Sequence, residues 1–195
     1  MTNDYSLKIV LIGDFRVGKT SIRRRFLGEH FRSNYLPTVG ADFSYCEVSF
    51  DDKKLKLLIW DLAGENRFSK VIPIYYKGAY GSIVVFDLTN RDSFLNLANW
   101  ISEFLTYSKV KNPPFIIIGN KHDLIVEGLE EQAVSDEEVE EFINSLKETS
   151  LPGYKEIPYI KTSAKTGENV QEAFIKLSKL IIEHFFDKAS VTKTT

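Results

Sequence analysis

Residues 7–20 read Leu-Lys-Ile-Val-Leu-Ile-Gly-Asp-Phe-Arg-Val-Gly-Lys-Thr, an apolar run that leads directly into a glycine-rich loop. The apolar part, Leu7–Ile12, is short and ends at Gly13, which is typical of a buried strand. The residues after the loop carry apolar side chains at helical spacing, as at Ile22 and Phe26. The stretch therefore predicts a strand, a loop and a helix in succession, and this order decides the fold.

The loop itself matches the pattern G-x-x-x-x-G-K-S/T, which is a P-loop. Gly13 and Gly18 permit backbone angles that other residues resist, so successive N–H groups can surround an anion at a helix N-terminus. The pattern predicts that Lys19 reaches the β- and γ-phosphates of a nucleotide and that the Thr20 hydroxyl holds Mg²⁺. An ordinary glycine turn before a helix is the alternative, which the flanking strand and helix disfavour. The residues assigned here to nucleotide binding are Gly13, Asp14, Phe15, Arg16, Val17, Gly18, Lys19, Thr20 and Ser21.

Composition bounds the class of protein. The chain has 195 residues, 43% of them hydrophobic, which is enough for one domain with a full core. The formal net charge of −2 argues against nucleic-acid binding, which uses a basic surface. Cys46 is the single cysteine, so no intrachain disulfide can form, which fits a reducing, cytoplasmic location. No apolar run has the length of a membrane span, and the N-terminus shows no signal-peptide pattern.

Strand and helix patterns alternate along the rest of the chain. Two β-rich runs, Asp42–Phe50 and Leu55–Leu62, are joined at Asp51-Asp52 in the manner of a hairpin. Ser135 followed by Glu138 is a capping-box pattern at a helix start. Further strands are predicted at Ser82–Asp87, Phe115–Asn120 and Ile157–Ile160, and helices at Phe68–Lys77, Asp92–Ser108, Asp136–Glu148 and Glu168–Phe185. The alternation predicts an α/β fold in three layers, with a six-stranded, mostly parallel sheet, one antiparallel edge strand and about five helices.

Two polar segments that follow predicted strands indicate which base is bound. Asn120-Lys121-His122-Asp123 lies at the carboxyl end of a strand, where α/β sheets bind ligands. The Asp123 carboxylate only accepts hydrogen bonds, so it suits the N1–H and 2-amino groups of guanine, whereas adenine would leave it unmatched. Asn120 can bridge loops, and the Lys121 stem can cover the base. Backbone N–H groups of Thr162-Ser163-Ala164-Lys165 can contact the guanine carbonyl oxygen.

Two further positions suit the phosphates and their metal ion. Asp61 follows a strand and is placed to contact Mg²⁺ through water, since Mg²⁺ keeps several waters. The Gly64 N–H can reach the γ-phosphate, and Thr38 can supply oxygen atoms to Mg²⁺ and to the attacking water. Thr20, Thr38 and Asp61 are therefore the predicted metal residues. Each short motif is weak alone, but their order along the chain makes GTP the predicted ligand.

With these motifs the chain resembles the Ras superfamily of small GTPases, and Rab proteins most closely, over about residues 6–186. The resemblance implies a Ras-like G domain at 6–186, with flexible tails at 1–5 and 187–195. Such a domain is a monomeric molecular switch that binds GTP and GDP with Mg²⁺ and hydrolyses GTP. The resemblance also places Phe31 against the guanine and Tyr35 over the phosphates.

The resemblance implies protein partners as well. The γ-phosphate and Mg²⁺ order two switch loops, around Thr38 and around Gly64–Lys77, and the ordered loops recruit effectors. Phe43, Trp60 and Tyr75 or Tyr76 match the aromatic cluster with which Rab proteins present their effector surface. An exchange factor and an activating protein are further partners of the family. Rab proteins end in prenylated cysteines, and none stands at the end of this sequence, so either the sequence is shortened or the protein acts without a lipid anchor. Membrane association follows only by analogy.

Glu65 departs from the family pattern, because a catalytic glutamine that orients water usually stands there. A carboxylate accepts from water but cannot donate as an amide does, and nearby phosphate charge should raise its pKa. We expect Glu65 to orient or deprotonate the water, with slow turnover. A GTP-binding interaction module with negligible hydrolysis is the alternative. The residues assigned to catalysis are Glu65, Thr38, Lys19 and Gly64.

Three other features leave alternatives open. Phe15 and Arg16 replace small P-loop residues; Phe15 should crowd an activator's arginine, and Arg16 is either an exposed loop residue or a catalytic cation supplied by the chain itself. Arg23-Arg24-Arg25 is predicted to be a solvated helix face, with an acidic partner or a lipid headgroup as the alternative. Leu151–Tyr154 looks like an added surface loop, and a partner-specific surface is the alternative.

Overall fold

The computed structural model describes residues 4–31, 38–50, 53–64, 72–128 and 133–186. Six strands form one sheet in the order β2-β3-β1-β4-β5-β6. They are β1 (Asp4–Ile12), β2 (Ala41–Phe50), β3 (Lys53–Leu62), β4 (Gly81–Asp87), β5 (Phe115–Asn120) and β6 (Tyr159–Lys161). β2 pairs antiparallel with β3, and every other neighbouring pair is parallel. The predicted sheet, with one antiparallel edge strand, is confirmed.

The described parts of the chain contain seven helices rather than the predicted five or so. They are α1 (Lys19–Phe26), α2 (Ile72–Tyr76), α3 (Arg91–Leu95), α4 (Leu97–Tyr107), α5 (His122–Val126), α6 (Asp136–Thr149) and α7 (Val170–Phe185). The helix predicted at 92–108 is divided at Asn96, and α5 was not predicted. Helices of five residues complete too few turns to show an apolar period, so the sequence pattern does not reveal them. For the helix predicted at 68–77, residues 65–71 lie outside the described residues.

The core lies on both faces of the sheet because side chains alternate along each strand. Leu7, Ile9 and Leu11 pack in a cluster with α1 and α7. Val10 and Ile12 point to the opposite face and pack with α2, α3, α4 and α6. A strand buried on both faces reads as a continuous apolar run, which is why the segment before the P-loop was recognisable.

The ends of several elements differ from the prediction or complete it. β1 begins at Asp4 and pairs there with β3, so residues 4 and 5 belong to the sheet rather than to a tail. The β2–β3 register brings Phe50 opposite Lys53, as a hairpin requires, although residues 51 and 52 lie outside the described residues. The capping box is confirmed, because the Glu138 N–H donates to Ser135 Oγ and the Ser135 N–H donates to Glu138 Oε2.

The sheet topology brings the polar loops together. β1 lies between β3 and β4, so the chain after β1 first adds strands on one side of it and then on the other. Ligands bind α/β sheets in the crevice at the point where the strand order reverses in this way. In the register, Leu11 at the end of β1 aligns with Asp61 on β3, and Asp87 on β4 aligns with Asn120 on β5. None of the helices in the described segments is long and apolar enough to cross a membrane.

Candidate nucleotide-binding site

A cavity of about 500 Å³ opens at the carboxyl edge of the sheet. Most of its lining residues were predicted from the sequence: Phe15, Arg16, Gly18, Lys19, Thr20, Ser21, Phe31, Thr38, Gly64, Asn120, Lys121, Asp123, Ala164 and Lys165. Arg24, Leu62, Ala63 and Leu124 also line it and were not predicted. Segments that are up to about 150 residues apart in the sequence therefore converge on one cleft. Tyr35 and Glu65 lie outside the described residues, so their assignments remain predictions.

Both P-loop glycines occupy positions that a side chain would disrupt. Gly13 has φ +137°, and a Cβ there would lie 2.0 Å from the Val85 carbonyl oxygen. Gly18 has φ +103°, and a Cβ there would lie 2.2 Å from Asn120 Nδ2. The left-handed backbone and the close neighbours both require glycine. The backbone freedom expected of these two residues is confirmed.

Lys19 is a buried cation that the loop itself holds in place. Its side chain is only 6% exposed, and Nζ donates to the carbonyl oxygens of Gly13 and Asp14, each at 2.7 Å. Burial lowers the pKa of Lys19 to about 8, although the charges of Asp61 and Asp14 oppose this shift. An anion placed beside this ammonium would stabilise its charged form. The arrangement therefore suits phosphate.

Three oxygen-bearing side chains meet beside the P-loop. The Thr20 hydroxyl donates to Asp61 Oδ2 at 2.5 Å, and Thr20 Oγ1 lies 2.9 Å from Thr38 Oγ1. Asp61 is fully buried, and this desolvation raises its pKa, while the Thr20 hydrogen bond and the Lys19 and Arg23 charges act in the opposite direction. Asp61 Oδ1 has no hydrogen-bond partner among the described residues. A buried, unsatisfied carboxylate oxygen next to two hydroxyls fits a hard cation such as Mg²⁺.

The end of β3 comes into close contact with the P-loop backbone. A Cβ at Gly64 would lie 2.5 Å or less from the Asp14 carbonyl and the Phe15 nitrogen, so only glycine fits there. Arg16 has φ +65°, and its guanidinium lies 5.2 Å from the centre of the Phe15 ring. Phe15 and Arg16 both line the cavity, as predicted.

Asn120 bridges the P-loop and the segment after β6. Its Nδ2 donates to the Val17 carbonyl oxygen at 2.8 Å. Its Oδ1 accepts from Thr162 Oγ1 at 3.1 Å and from the Ala164 N–H at 3.2 Å. The predicted bridging role is confirmed, and the amide is 99% buried as a result.

Asp123 is oriented by its neighbours at the other end of the cavity. Its Oδ1 accepts from Ser163 Oγ at 2.6 Å, and Lys165 Nζ lies 3.6 Å from its Oδ2. Lys165 Nζ also lies 2.7 Å from Glu127 Oε1, and this hydrogen bond is the main reason that the pKa of Lys165 is raised. Asp123, Lys121 and Lys165 all line the cavity, so a carboxylate and two lysines meet at this end.

Several predicted residues support the cavity without lining it. The side chain of Val17 packs in the core, while its carbonyl receives Asn120. Asp14 turns its carboxylate away and accepts from Asn96 Nδ2 and Trp100 Nε1, each at 2.7 Å. Those two partners were missed, because nothing in the sequence ties the α3–α4 junction to the P-loop.

Two other supporting residues were also missed. Asp87 Oδ2 lies 2.6 Å from Lys121 Nζ and so fixes the lysine that lines the base end of the cavity. Asp87 ends β4, and the same strand-end reasoning that found Asp61 could have found it. Arg25 donates from Nε to the Ala164 carbonyl at 3.1 Å and from Nη2 to the Lys165 carbonyl. Only the folded chain brings Arg25 to that loop.

The prediction that Arg23-Arg24-Arg25 forms a solvated helix face is wrong for Arg23, which is buried. Arg23 is 5% exposed and pairs with Asp42, and Arg25 holds a loop. Arg24 and Arg25 are both partly exposed. Three consecutive helix positions point in three directions, and here Arg23 and Arg25 meet polar groups of other elements.

An aromatic cluster joins β2, β3 and α2 at the surface. The rings of Phe43 and Trp60 have centroids 5.2 Å apart, and those of Trp60 and Tyr75 lie 5.5 Å apart. Tyr76 is buried against Phe104, so Tyr75 and not Tyr76 is the third member of the cluster. Phe43 is 47% exposed, so part of this cluster is open to a partner.

Comparison with known proteins identifies the family. The family model described as Ras family matches residues 8–183. GTP-binding protein ypt1 of Schizosaccharomyces pombe is 37% identical over 180 residues, which cover 92% of this chain and 82% of that protein. Ras-related protein RABD2b of Arabidopsis thaliana is 38% identical over 178 residues, with coverage of 91% and 81%. Ypt/Rab-type GTPase ypt7 of Schizosaccharomyces pombe is 38% identical over 182 residues, with coverage of 91% and 83%. The chain therefore belongs to the Ras family and is a Rab-like small GTPase.

Proposed function

We propose that this Rab-like GTPase binds GTP and GDP with Mg²⁺, hydrolyses GTP slowly and works as a molecular switch that recruits effectors. The observation that carries the proposal is Asn120, which links the P-loop to the base-binding segment across one cavity. A site built in this way holds both ends of a single nucleotide. A site for phosphate alone would not need Asn120 to link the P-loop to the segment after β6.

Guanine specificity follows from the acceptor at the base end. Ser163 uses one oxygen of Asp123 and leaves the carboxylate able to accept from the ring N–H and amino donors of guanine. Adenine presents a lone pair at the matching ring position, so a buried acceptor would remain unpaired, which is costly. The backbone around Ala164, held by Asn120 and Arg25, is available to the guanine carbonyl oxygen.

At the phosphate end the chain supplies charge and position. Lys19 is held by two carbonyls and gains a phosphate partner for its buried charge. Thr20, Thr38 and Asp61 would hold Mg²⁺. When bound, this ion neutralises charge on the phosphate oxygens. Gly64 brings its backbone N–H next to the P-loop, where it suits a terminal phosphate.

Hydrolysis requires a positioned water. We assign the Thr38 carbonyl and the Glu65 carboxylate to that water, with Glu65 acting as an acceptor or as a base. Because a carboxylate cannot donate to the transferred phosphoryl group as glutamine does, we expect slow turnover. Loss of the γ-phosphate removes one partner from Thr38 and Gly64, and this is the basis of the switch.

Effector binding is assigned to the aromatic cluster Phe43, Trp60 and Tyr75. Two further apolar residues of the switch segments are strongly exposed, Val39 at 73% and Ile74 at 69%. Exposed aromatic and aliphatic side chains in one patch are typical of protein–protein interfaces. Exchange factors and activating proteins, as general partners of the family, would contact the same segments.

The proposal is tested first by the nucleotide that copurifies with the protein. We expect guanine nucleotide, released as GDP after incubation with Mg²⁺. Bound ADP or ATP would overturn the guanine assignment. GTP that persists with Mg²⁺ would support the alternative, a GTP-binding module with negligible hydrolysis.

Single-turnover hydrolysis of GTP tests the catalytic residues. We expect Glu65→Ala to hydrolyse GTP more slowly than wild type, by about 100-fold, which is the low end for general acid–base groups. Equal rates would remove Glu65 from the mechanism. Arg16→Ala, measured in parallel, decides whether that residue acts as a cation in the transition state, since an exposed loop arginine would leave the rate unchanged.

A further inference from the structure

Two carboxylates face each other across the hairpin beside the proposed magnesium site. Asp42 on β2 lies directly opposite Asp61 on β3 in the antiparallel register. Like charges in directly opposed positions destabilise a sheet. The charge of Asp42 also acts to raise the pKa of Asp61. This pair therefore needs a compensating cation.

Arg23 on α1 supplies that cation from beneath the hairpin. Its Nη2 lies 2.5 Å from Asp42 Oδ2, and its Nε lies 3.9 Å from Asp61 Oδ2. Its Nη1 donates to Ser44 Oγ at 2.7 Å. The guanidinium is 5% exposed, so solvent screens its charge only weakly. One buried cation thus contacts both carboxylates.

Arg23 and Asp42 lie close to Asp61, one of the residues proposed to hold Mg²⁺, so their charges affect the binding of the metal ion. Asp61 accepts from Thr20, which in turn contacts Thr38. A cation held 3.9 Å from Asp61 opposes a divalent ion bound at the same group, whereas the Asp42 charge favours that ion. Neither Arg23 nor Asp42 is among the residues that line the nucleotide cavity.

We propose that Arg23 and Asp42 set the magnesium affinity of the site, with Arg23 lowering it and Asp42 raising it. The two charges thereby fix the Mg²⁺ concentration at which bound nucleotide is retained. This inference rests on the proposed binding of nucleotide with Mg²⁺. Arg23 and Asp42 are not among the residues proposed to hold Mg²⁺, and these two neighbours have opposite effects on Mg²⁺ affinity.

The test is the release of fluorescently labelled GDP, measured over a series of Mg²⁺ concentrations. The midpoint is the Mg²⁺ concentration at which the slowing of GDP release is half complete. This midpoint should fall about tenfold in Arg23→Leu, since one nearby positive charge is removed. The midpoint should rise about tenfold in Asp42→Asn, which leaves Arg23 uncompensated. The double variant should return to within about twofold of wild type, because the two charges cancel. Arg91→Leu is the matched control, since it removes a guanidinium that pairs with Glu138 outside the cavity.

The opposite signs separate the proposal from a purely structural role. If Arg23 and Asp42 only hold the hairpin together, both variants lower the melting temperature and both shift the midpoint upward; that result overturns the inference. Arg23→Lys keeps the charge without the planar fork, so its midpoint should match wild type even if its stability falls.

Two remaining outcomes are also decisive. If Arg23→Leu does not fold, Asp42→Asn still decides, and an unchanged midpoint in that variant overturns the inference. Wild-type protein that releases GDP at one rate at all Mg²⁺ concentrations would instead overturn the magnesium site of the proposed function. These results therefore distinguish a wrong role for Arg23 and Asp42 from a wrong Mg²⁺ site.

Discussion

The two ends of the nucleotide cavity are formed by different kinds of chemical group. At the phosphate end, defined here as residues 13–20 with Thr38 and 61–64, backbone groups and glycines make the shape. At the base end, defined as 120–123 with 162–165, side chains accept and donate across loops. Phosphates look alike in every nucleotide, so repeated backbone N–H groups are sufficient for them. Bases differ in the arrangement of their donors and acceptors, and at this end the Asp123 carboxylate is the group proposed to read that difference.

The two ends nevertheless share one contact. Asn120 belongs to the base end but donates to the Val17 carbonyl in the P-loop, and it lies against Gly18. The contrast predicts that substitutions at the phosphate end act through shape, while those at the base end act through hydrogen bonds. It also predicts that a change at the shared contact damages both ends.

Gly18→Ala should have the largest effect. A Cβ at φ +103° is strained, and it would lie 2.2 Å from Asn120 Nδ2, so the amide must move away from Val17. Together, the backbone strain and the displaced amide should accelerate GDP release about 100-fold or more. Gly28→Ala is the matched control, because its φ is +82° but its added Cβ meets no described atom within 4 Å. If Gly18→Ala keeps wild-type guanine preference, the shared contact does not couple the two ends.

Asp123→Ala should come next and should act on base recognition alone. Loss of the carboxylate removes two charge-assisted hydrogen bonds, so the affinity for GDP should fall about 100-fold while that for ADP stays low. Asp136→Ala is the control, since Asp136 also pairs with a lysine but lies outside the cavity. Competition binding with both nucleotides measures the difference. An equal loss for phosphate analogues without a base would contradict the division between the two ends.

Arg25→Ala should have a moderate effect on the base end. Arg25 holds the carbonyls of Ala164 and Lys165, and its loss frees the backbone that we propose contacts the guanine oxygen. We expect release of GDP to be about tenfold faster, the size of one or two charge-assisted hydrogen bonds. Inorganic phosphate binding should not change. Wild-type release rates would show that the loop holds its shape without Arg25.

Asp14→Ala should have the smallest effect, about threefold on GDP release, because the P-loop keeps its glycines and the Lys19 contacts. The substitution removes the acceptor for Asn96 and Trp100. The chain has two tryptophans, so a Trp60→Phe background isolates the emission of Trp100. That emission should shift when the Trp100 N–H loses its partner. An unchanged spectrum would mean that the indole is not held by Asp14 in solution.

Some parts of the site were readable from the sequence because their constraints are local. The apolar run before Gly13 and the residues Lys19 and Thr20 carry a pattern set by strand, loop and helix geometry within 15 residues or so. Ser135 and Glu138 were readable for the same reason, since a capping box spans four residues. Helices α3 to α5 were less readable, because five-residue helices and a break at Asn96 leave no clear period.

Other parts depend on which elements become neighbours. Arg23 and Arg25 looked like solvent-exposed charges because an isolated helix exposes every side. Their partners Asp42 and Ala164 lie 19 and 139 residues away in the sequence. Likewise, Tyr75 and Tyr76 were equivalent in the sequence. Only the packing of α2 on α4 buries Tyr76 and leaves Tyr75 beside Trp60.

The sequence alone determined the fold class and predicted the nucleotide-binding segments and the preference for guanine, because each depends on a short motif placed after a recognisable strand. The tertiary structure decided the charge environment of that site. The strand order put Asp42 opposite Asp61, and helix α1 brought Arg23 to both carboxylates. Electrostatic interactions depend on distance in space, and burial strengthens them by removing water. Distances between residues far apart in the chain are fixed only when the strands and helices pack.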